Sequence, residues 1–272
     1  MIKLIAILLV TSTLPLAAQW LNYPEARTPH TKDGRPNLTA PAPRTKGNPD
    51  LSGVWEAART PQDEFTRVLG NDLAKVQVDL NDVTKHVLNV FWGLKPEEQP
   101  LRPEALVILK QRANLASPST HCLPAGIPAG IFIYNFKIIQ ALQEIVIVLG
   151  DGDPPRQIFS DGRSLPRDPQ PSWMGYSVGK WQGDTLAVET IGFNEASWLD
   201  TSGHPRSELM RIREAYHRRD FGHMDLEVTL EDPKYYTRPF TLNTQLNLIP
   251  DSDVLEFVCG ENEKDGAHLD KR

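Results

Sequence analysis

The chain has 272 residues, with 29 Lys and Arg against 35 Asp and Glu, and a formal net charge of −6. Hydrophobic residues make up 40% and charged residues 24%, with a mean hydropathy of −0.38; this globular balance excludes a disordered or collagen-like chain. Mild net acidity gives no electrostatic case for a nucleic-acid or anionic-lipid partner.

Met1, Ile2 and Lys3 form a short positive start, Leu4 to Val10 a compact apolar run, and Leu16 and Ala18 the small-residue pattern of a cleavage site. The run is far shorter than the ~20 apolar residues of a membrane span. Residues 1–18 are therefore expected to be a signal peptide, and the mature chain to be secreted or periplasmic with no membrane span. Export places Cys122 and Cys259 where a disulfide can form; the alternative is two separate buried thiols. With no CxxC spacing, the pair gives no case for a zinc ribbon or a thioredoxin-type site.

Residues 19–49 are rich in Pro, Thr, Lys, Arg and Asn without periodicity and read as an extended leader, lying over the body or loose in solvent. The folded part, a single domain over 50–272, opens on Asn48-Pro49-Asp50-Leu51-Ser52-Gly53-Val54-Trp55. A Gly-x-Trp at the start of a first strand is lipocalin-like: the Gly permits close backbone approach and the Trp plugs one end of a barrel. Helical patterning is confined to residues 60–116. Val76, Leu80, Val83, Val87 and Val90 share one face, Pro96, Pro100 and Pro103 break it, and Pro103 starts a second helix through Leu106, Leu109 and Ala113. This segment is expected to be a helical insertion capping a sheet.

From Cys122 onward the signal is β-rich. Met224, Leu226, Val228 and Leu230 alternate with polar residues, as do Leu242, Leu246 and Leu248, and Leu186 with Val188; Glu144 to Leu149 is a fuller apolar run. Turn signals lie between them at Asp151-Gly152, Asp161-Gly162, Gly183-Asp184, Asp232-Pro233 and Pro250-Asp251. The pattern predicts a mainly β fold, an antiparallel meander that closes into a lipocalin-like barrel because closure removes exposed edges.

Gly175-Tyr176-Ser177-Val178-Gly179 matches the G-x-S-x-G of a nucleophile elbow, but a Gly-Asp turn and another strand follow it, with no helix to present the Ser. It reads as a glycine-relieved strand. Glu214 shares a strand face with Met210, Ile212 and Tyr216. An inward carboxylate must be paired or raise its pKa, so Glu214 is either an acid–base group or a structural ion pair with an Arg. The seven histidines show no metal spacing. His204 lies in a Gly-rich turn, and His268 in a charged tail that a disulfide at Cys259 would tether near a barrel mouth. Trp173, Tyr176, Trp181 and Trp198 cluster around the central hairpin, and the first three could line a pocket for an apolar or aromatic molecule, the alternative being core packing.

Taken together, several segments resemble an uncharacterised family of secreted bacterial lipocalin-like (calycin-like) β-barrel proteins. They are Pro49-Asp50-Leu51-Ser52-Gly53-Val54-Trp55, Cys122-Leu123-Pro124, Trp173-Met174-Gly175, Gly183-Asp184-Thr185-Leu186, Gly192-Phe193-Asn194, Trp198-Leu199-Asp200, Gly203-His204-Pro205 and Cys259 with Glu261-Asn262. The resemblance implies a shared barrel fold and supplies neither an activity nor a cofactor. Members usually carry His where this chain has Tyr176, Arg206 and Arg211, and Glu where it has Gln182. His204, Glu214 and His268 stand at matching positions and are the candidate catalytic residues. The leading expectation is a barrel holding a small apolar or aromatic molecule in its interior. The rival is a hydrolase, lyase or isomerase using Glu214 with His204 or His268 in the same cavity.

Overall fold

The computed structural model describes residues 24–70, 84–150 and 152–261. The expected signal peptide, His268, and Val76, Leu80 and Val83 of the expected helix face lie outside them. Eleven strands and four α-helices are present in the described residues. A two-stranded sheet pairs β1 (Arg44–Thr45) with β2 (Asn48–Pro49). Nine strands form a closed barrel: β3 (Gly53–Ala57), β4 (Phe136–Gln140), β5 (Glu144–Leu149), β6 (Arg156–Phe159), β7 (Tyr176–Gln182), β8 (Thr185–Ile191), β9 (Arg211–Arg218), β10 (His223–Glu231) and β11 (Phe240–Leu248). They follow chain order around the wall, and β11 pairs with β3 to close it.

The expected antiparallel meander needs one correction. Every neighbouring pair is antiparallel except β6 and β7, which run parallel. The reason is parity: alternating directions cannot close a ring of nine, so one junction must be parallel. A parallel pair also needs a long connection, and residues 160–175 supply it. The parallel ladder is short, only Ile158 with Ser177 and Phe159 with Val178. Beyond it, Gly179 to Gln182 have no strand partner on the β6 side.

Alternation decides what fills the barrel. On β10, Met224, Leu226, Val228 and Leu230 are all buried at 1% exposure or less. On β8, Leu186 and Val188 point inward, and on β5 Ile145, Ile147 and Leu149. Each large apolar side chain buried this way contributes about 1.5–3 kcal/mol. Tight turns fix the register. Gly183 (φ +60°) and Asp184 join β7 to β8 in a two-residue hairpin with Gln182 opposite Thr185.

One end of the barrel is closed as the Gly-x-Trp pattern predicts. Trp55 is fully buried, its indole N–H donating to the Leu51 carbonyl at 3.0 Å. The Arg218 guanidinium stacks 4.8 Å over the indole and donates to the carbonyls of Asp50, Asp220 and Phe221. The leader seals this end from outside. Phe221 N–H donates to Ala40 O and Gly222 N–H to Leu38 O, both at 2.7 Å. A Cβ on Gly222 would meet Leu38 at 2.5 Å, so only glycine lets the leader lie this close.

The opposite end is covered by the helical insertion, α1 (Gln62–Leu69), α2 (Lys85–Leu88) and α3 (Pro103–Arg112), with α4 (Ala129–Ile133). Helix α3 begins at Pro103 as expected, but its buried face is Ala105, with Ile108 packed on the core, and Leu106 is 46% exposed. Cys122 and Cys259 form a disulfide across 137 residues, with Cα atoms 5.4 Å apart. No helix among the described residues is long and apolar enough to cross a membrane.

Candidate functional site

The face alternation of β9 places Glu214 inside the barrel, as its neighbours predict, with its side chain fully buried. It is held there by Arg156 at the start of β6, also fully buried. The two make a bidentate pair, Nη1 to Oε1 at 2.8 Å and the second guanidinium nitrogen to Oε2. Tyr216 O–H donates to Oε1 at 2.8 Å. The other guanidinium donors reach Ser177 Oγ (3.2 Å) and Thr190 Oγ1 (2.9 Å), and those two hydroxyls are 2.9 Å apart. Burial works against the Arg156 charge, but the adjacent carboxylate outweighs it and holds the guanidinium pKa above its ordinary value. Burial first, then the Glu214 charge, raises the Tyr216 phenol well above its usual range. This is a buried ion pair with every member bonded. Ser177, the centre of the G-x-S-x-G match, is one of those members and is fully buried.

His204 sits elsewhere. Its Nδ1 is 2.6 Å from Asp200 Oδ2, an oxygen that also accepts the Val90 N–H at 2.7 Å. The ring meets Phe91 edge-on at 5.0 Å, and Phe91 packs in turn on Tyr236 and Phe240. Thr201 and Ser202 donate to the carbonyls of Val87 and Leu88, so this loop fastens α2 over the barrel end. The hydrogen-bond partners of Glu214 and of His204 do not overlap. No hydrogen bond joins Glu214 to His204, the other expected partner His268 lies outside the described residues, and His204 pairs with Asp200.

The aromatic residues separate too. The Trp173 carbonyl accepts from the buried Arg206 at 3.0 Å, so this position braces a loop. The Tyr176 ring packs on Phe159 at 5.2 Å, and its hydroxyl accepts from Arg163 at 3.2 Å. Arg163 itself lies 3.9 Å over the Phe159 ring and pairs with Asp161. Trp181 lines a cleft of about 530 Å³ on the wall beside the parallel junction. Val178, Gly179, Trp181, Ala187 and Val188 give its apolar lining, and Arg163, Lys180, Gln182, Glu189, Arg213 and Glu214 its polar lining. It is placed by the short β6–β7 ladder, which leaves one edge of β7 uncovered. Clefts of about 590 and 580 Å³ flank the helical cap, with Glu56, Arg59 and Asp251 in one and Lys85, His217 and Glu227 in the other. Their linings are less apolar than that of the seam.

Reading the sequence alone missed Arg156, Lys180 and Asp200. Arg156 was within reach: it alternates with Ile158, and that period points it inward. Asp200 stands four residues before His204, a spacing that suits a local hydrogen bond in a turn. Lys180 carried no signal beyond being an outward residue of its strand. Among the described residues no group of three or more His, Cys, Asp or Glu could hold a metal ion. No family model, no curated protein and no solved structure matches this chain.

Proposed function

We propose that the protein is an exported, lipocalin-like β-barrel that holds a small apolar or aromatic molecule, and that the holding site is the cleft at the β6–β7 seam. The observation that carries this reading is the cleft itself: about 530 Å³, with Val178, Trp181 and Ala187 in its lining beside Arg163 and Lys180. That volume and mixed lining suit a small-molecule site. The lumen is a poorer host, because Trp55, Phe136, Ile138, Ile158, Tyr216 and the Arg156–Glu214 pair already occupy it.

The test is a thermal-shift screen of the full chain against neutral aromatic and terpenoid compounds, repeated on Ala187→Phe, which fills the floor from the outer face. Stabilisation of the parent and not of the variant supports the reading. Stabilisation by no compound, or equal stabilisation of both proteins, sinks it.

An acid–base enzyme is the second reading, and the 2.6 Å Asp200–His204 hydrogen bond is the observation in its favour. A carboxylate in that place orients an imidazole for proton transfer. The ring is nonetheless 3% exposed and packed among aromatics, so substrate would have to displace the cap to reach it.

A further inference from the structure

The rim of the seam cleft has a charge pattern that its floor does not explain. Three cations line it: Arg163, Lys180 and Arg213. Two of them have carboxylate partners. Arg163 pairs with Asp161, and Arg213 with Glu231 at 3.0 Å and Glu189 at 3.5 Å. Among the described residues, Lys180 has none. Register explains why. Directly across from Lys180 is Ala187, and across from Ala187 is Ala215. The outward row at this level therefore offers two methyl groups where its neighbours offer Glu189 and Arg213. An exposed ammonium stands beside Val178 and Ala187 with no ion-pair partner among the described residues, while the carboxylates that line the cleft, Glu189 and Glu214, are engaged by Arg211, Arg213 and Arg156, on a chain whose net charge is −6.

We infer that the seam cleft selects an amphipathic organic anion, a small aromatic or aliphatic body bearing a carboxylate or sulfonate. The body lies on Val178 and Ala187, beside the part-buried Trp181 that packs on the core, and the anionic group meets Lys180. The Arg163 guanidinium, fixed over Phe159 and bonded to Tyr176, is a second donor at the same rim. This chemistry uses both halves of the site: apolar area provides affinity, and a charge-assisted contact provides orientation. The inference rests on the reading of the seam as the binding site, and its test separates the two.

Two fluorescent probes with one aromatic skeleton serve, anilinonaphthalenesulfonate and the uncharged N-phenylnaphthylamine. Each is titrated into the full chain, into Lys180→Gln and into Ala187→Phe, at low and at high salt. The expected result is tighter binding of the sulfonate at low salt. Lys180→Gln then weakens the sulfonate by roughly three- to tenfold and leaves the neutral probe unchanged, a magnitude suited to one partly exposed charge contact. Equal binding of both probes, lost in Ala187→Phe and untouched in Lys180→Gln, overturns the anion inference and leaves the seam as a site. Binding that Ala187→Phe does not alter, or no binding of either probe, removes the seam itself.

Discussion

Strands β7, β8 and β9 present two polar surfaces one residue apart, and the two differ in kind. Inward, Ser177, Thr190 and Glu214 meet Arg156 and Tyr216 in a closed set where every group has a partner. Outward, Val178, Lys180, Ala187, Glu189 and Arg213 leave one cation without a partner among the described residues. The difference follows from solvent. A buried charge without a partner costs several kcal/mol, so the buried Arg156–Glu214 pair is kept in a complete network. An unpaired lysine on the wall costs little, because water solvates it. Complete networks hold a fold, and incomplete ones are where a ligand can bind.

The sharpest way to break this contrast is to make the inner network incomplete. Glu214→Gln leaves the Arg156 charge buried without its counterion and is expected to destabilise the fold by about 3–5 kcal/mol in urea denaturation. Replacing both partners, Arg156→Met with Glu214→Leu, should cost far less than the single change. Equal losses in the two variants would mean that the pair is not the stabilising unit.

A second test uses a buried polar group that lacks a complete network. His86, on α2, is 8% exposed with its ring 5.6 Å from Phe132, and neither ring nitrogen makes a hydrogen bond of ordinary geometry. Burial, then the Lys85 charge, pushes its pKa down to about 4, while the Asn243 backbone and Glu64 pull weakly the other way. With the folded pKa below the unfolded value near 6.5, the unfolded chain binds the extra proton between those limits. Stability from this group is therefore present above pH ~6.5 and is lost as pH falls toward 4, by up to about 3 kcal/mol. His86→Phe should flatten the fall in stability between pH 7 and pH 4.5. An unchanged slope would place the acid sensitivity elsewhere.

Smaller effects sharpen the picture. Ser177→Ala removes one acceptor of Arg156 Nε and one neighbour of Thr190, and should cost about 1–2 kcal/mol. A nucleophilic serine would show itself by labelling with a fluorophosphonate, which a side chain buried this deeply should resist. Lys180→Gln, by contrast, should shift the denaturation midpoint within the error of the measurement, since the Lys180 ammonium has no ion pair among the described residues. A clear loss of stability there would show that the lysine is part of the fold.

Much of this was legible in advance, and the legible part has one cause. Strand residues alternate with period two, so Met224 to Leu230 and Ile212 to Tyr216 announce which face is inside, and Glu214 is placed with them. Gly53 and Trp55 announce the plugged end. The partner of Glu214 was not announced as such, because Arg156 lies 58 residues away and only closure of the barrel brings the two strands to one lumen. The buried face of α3 was misjudged by one position, since Ala105 and Leu106 look equally apolar in sequence and the loops beneath decide between them.

What the amino-acid sequence determined by itself was local: the strands, their inward faces, the tight Gly183-Asp184 turn and the helical insertion. These depend on neighbours a few residues apart. Tertiary structure alone decided the count of nine strands, and with it the parallel β6–β7 junction that antiparallel alternation does not foretell. From that junction came the uncovered edge of β7, the cleft beside it and the isolation of Lys180. An odd ring cannot close without one such seam, and no residue in the chain encodes parity.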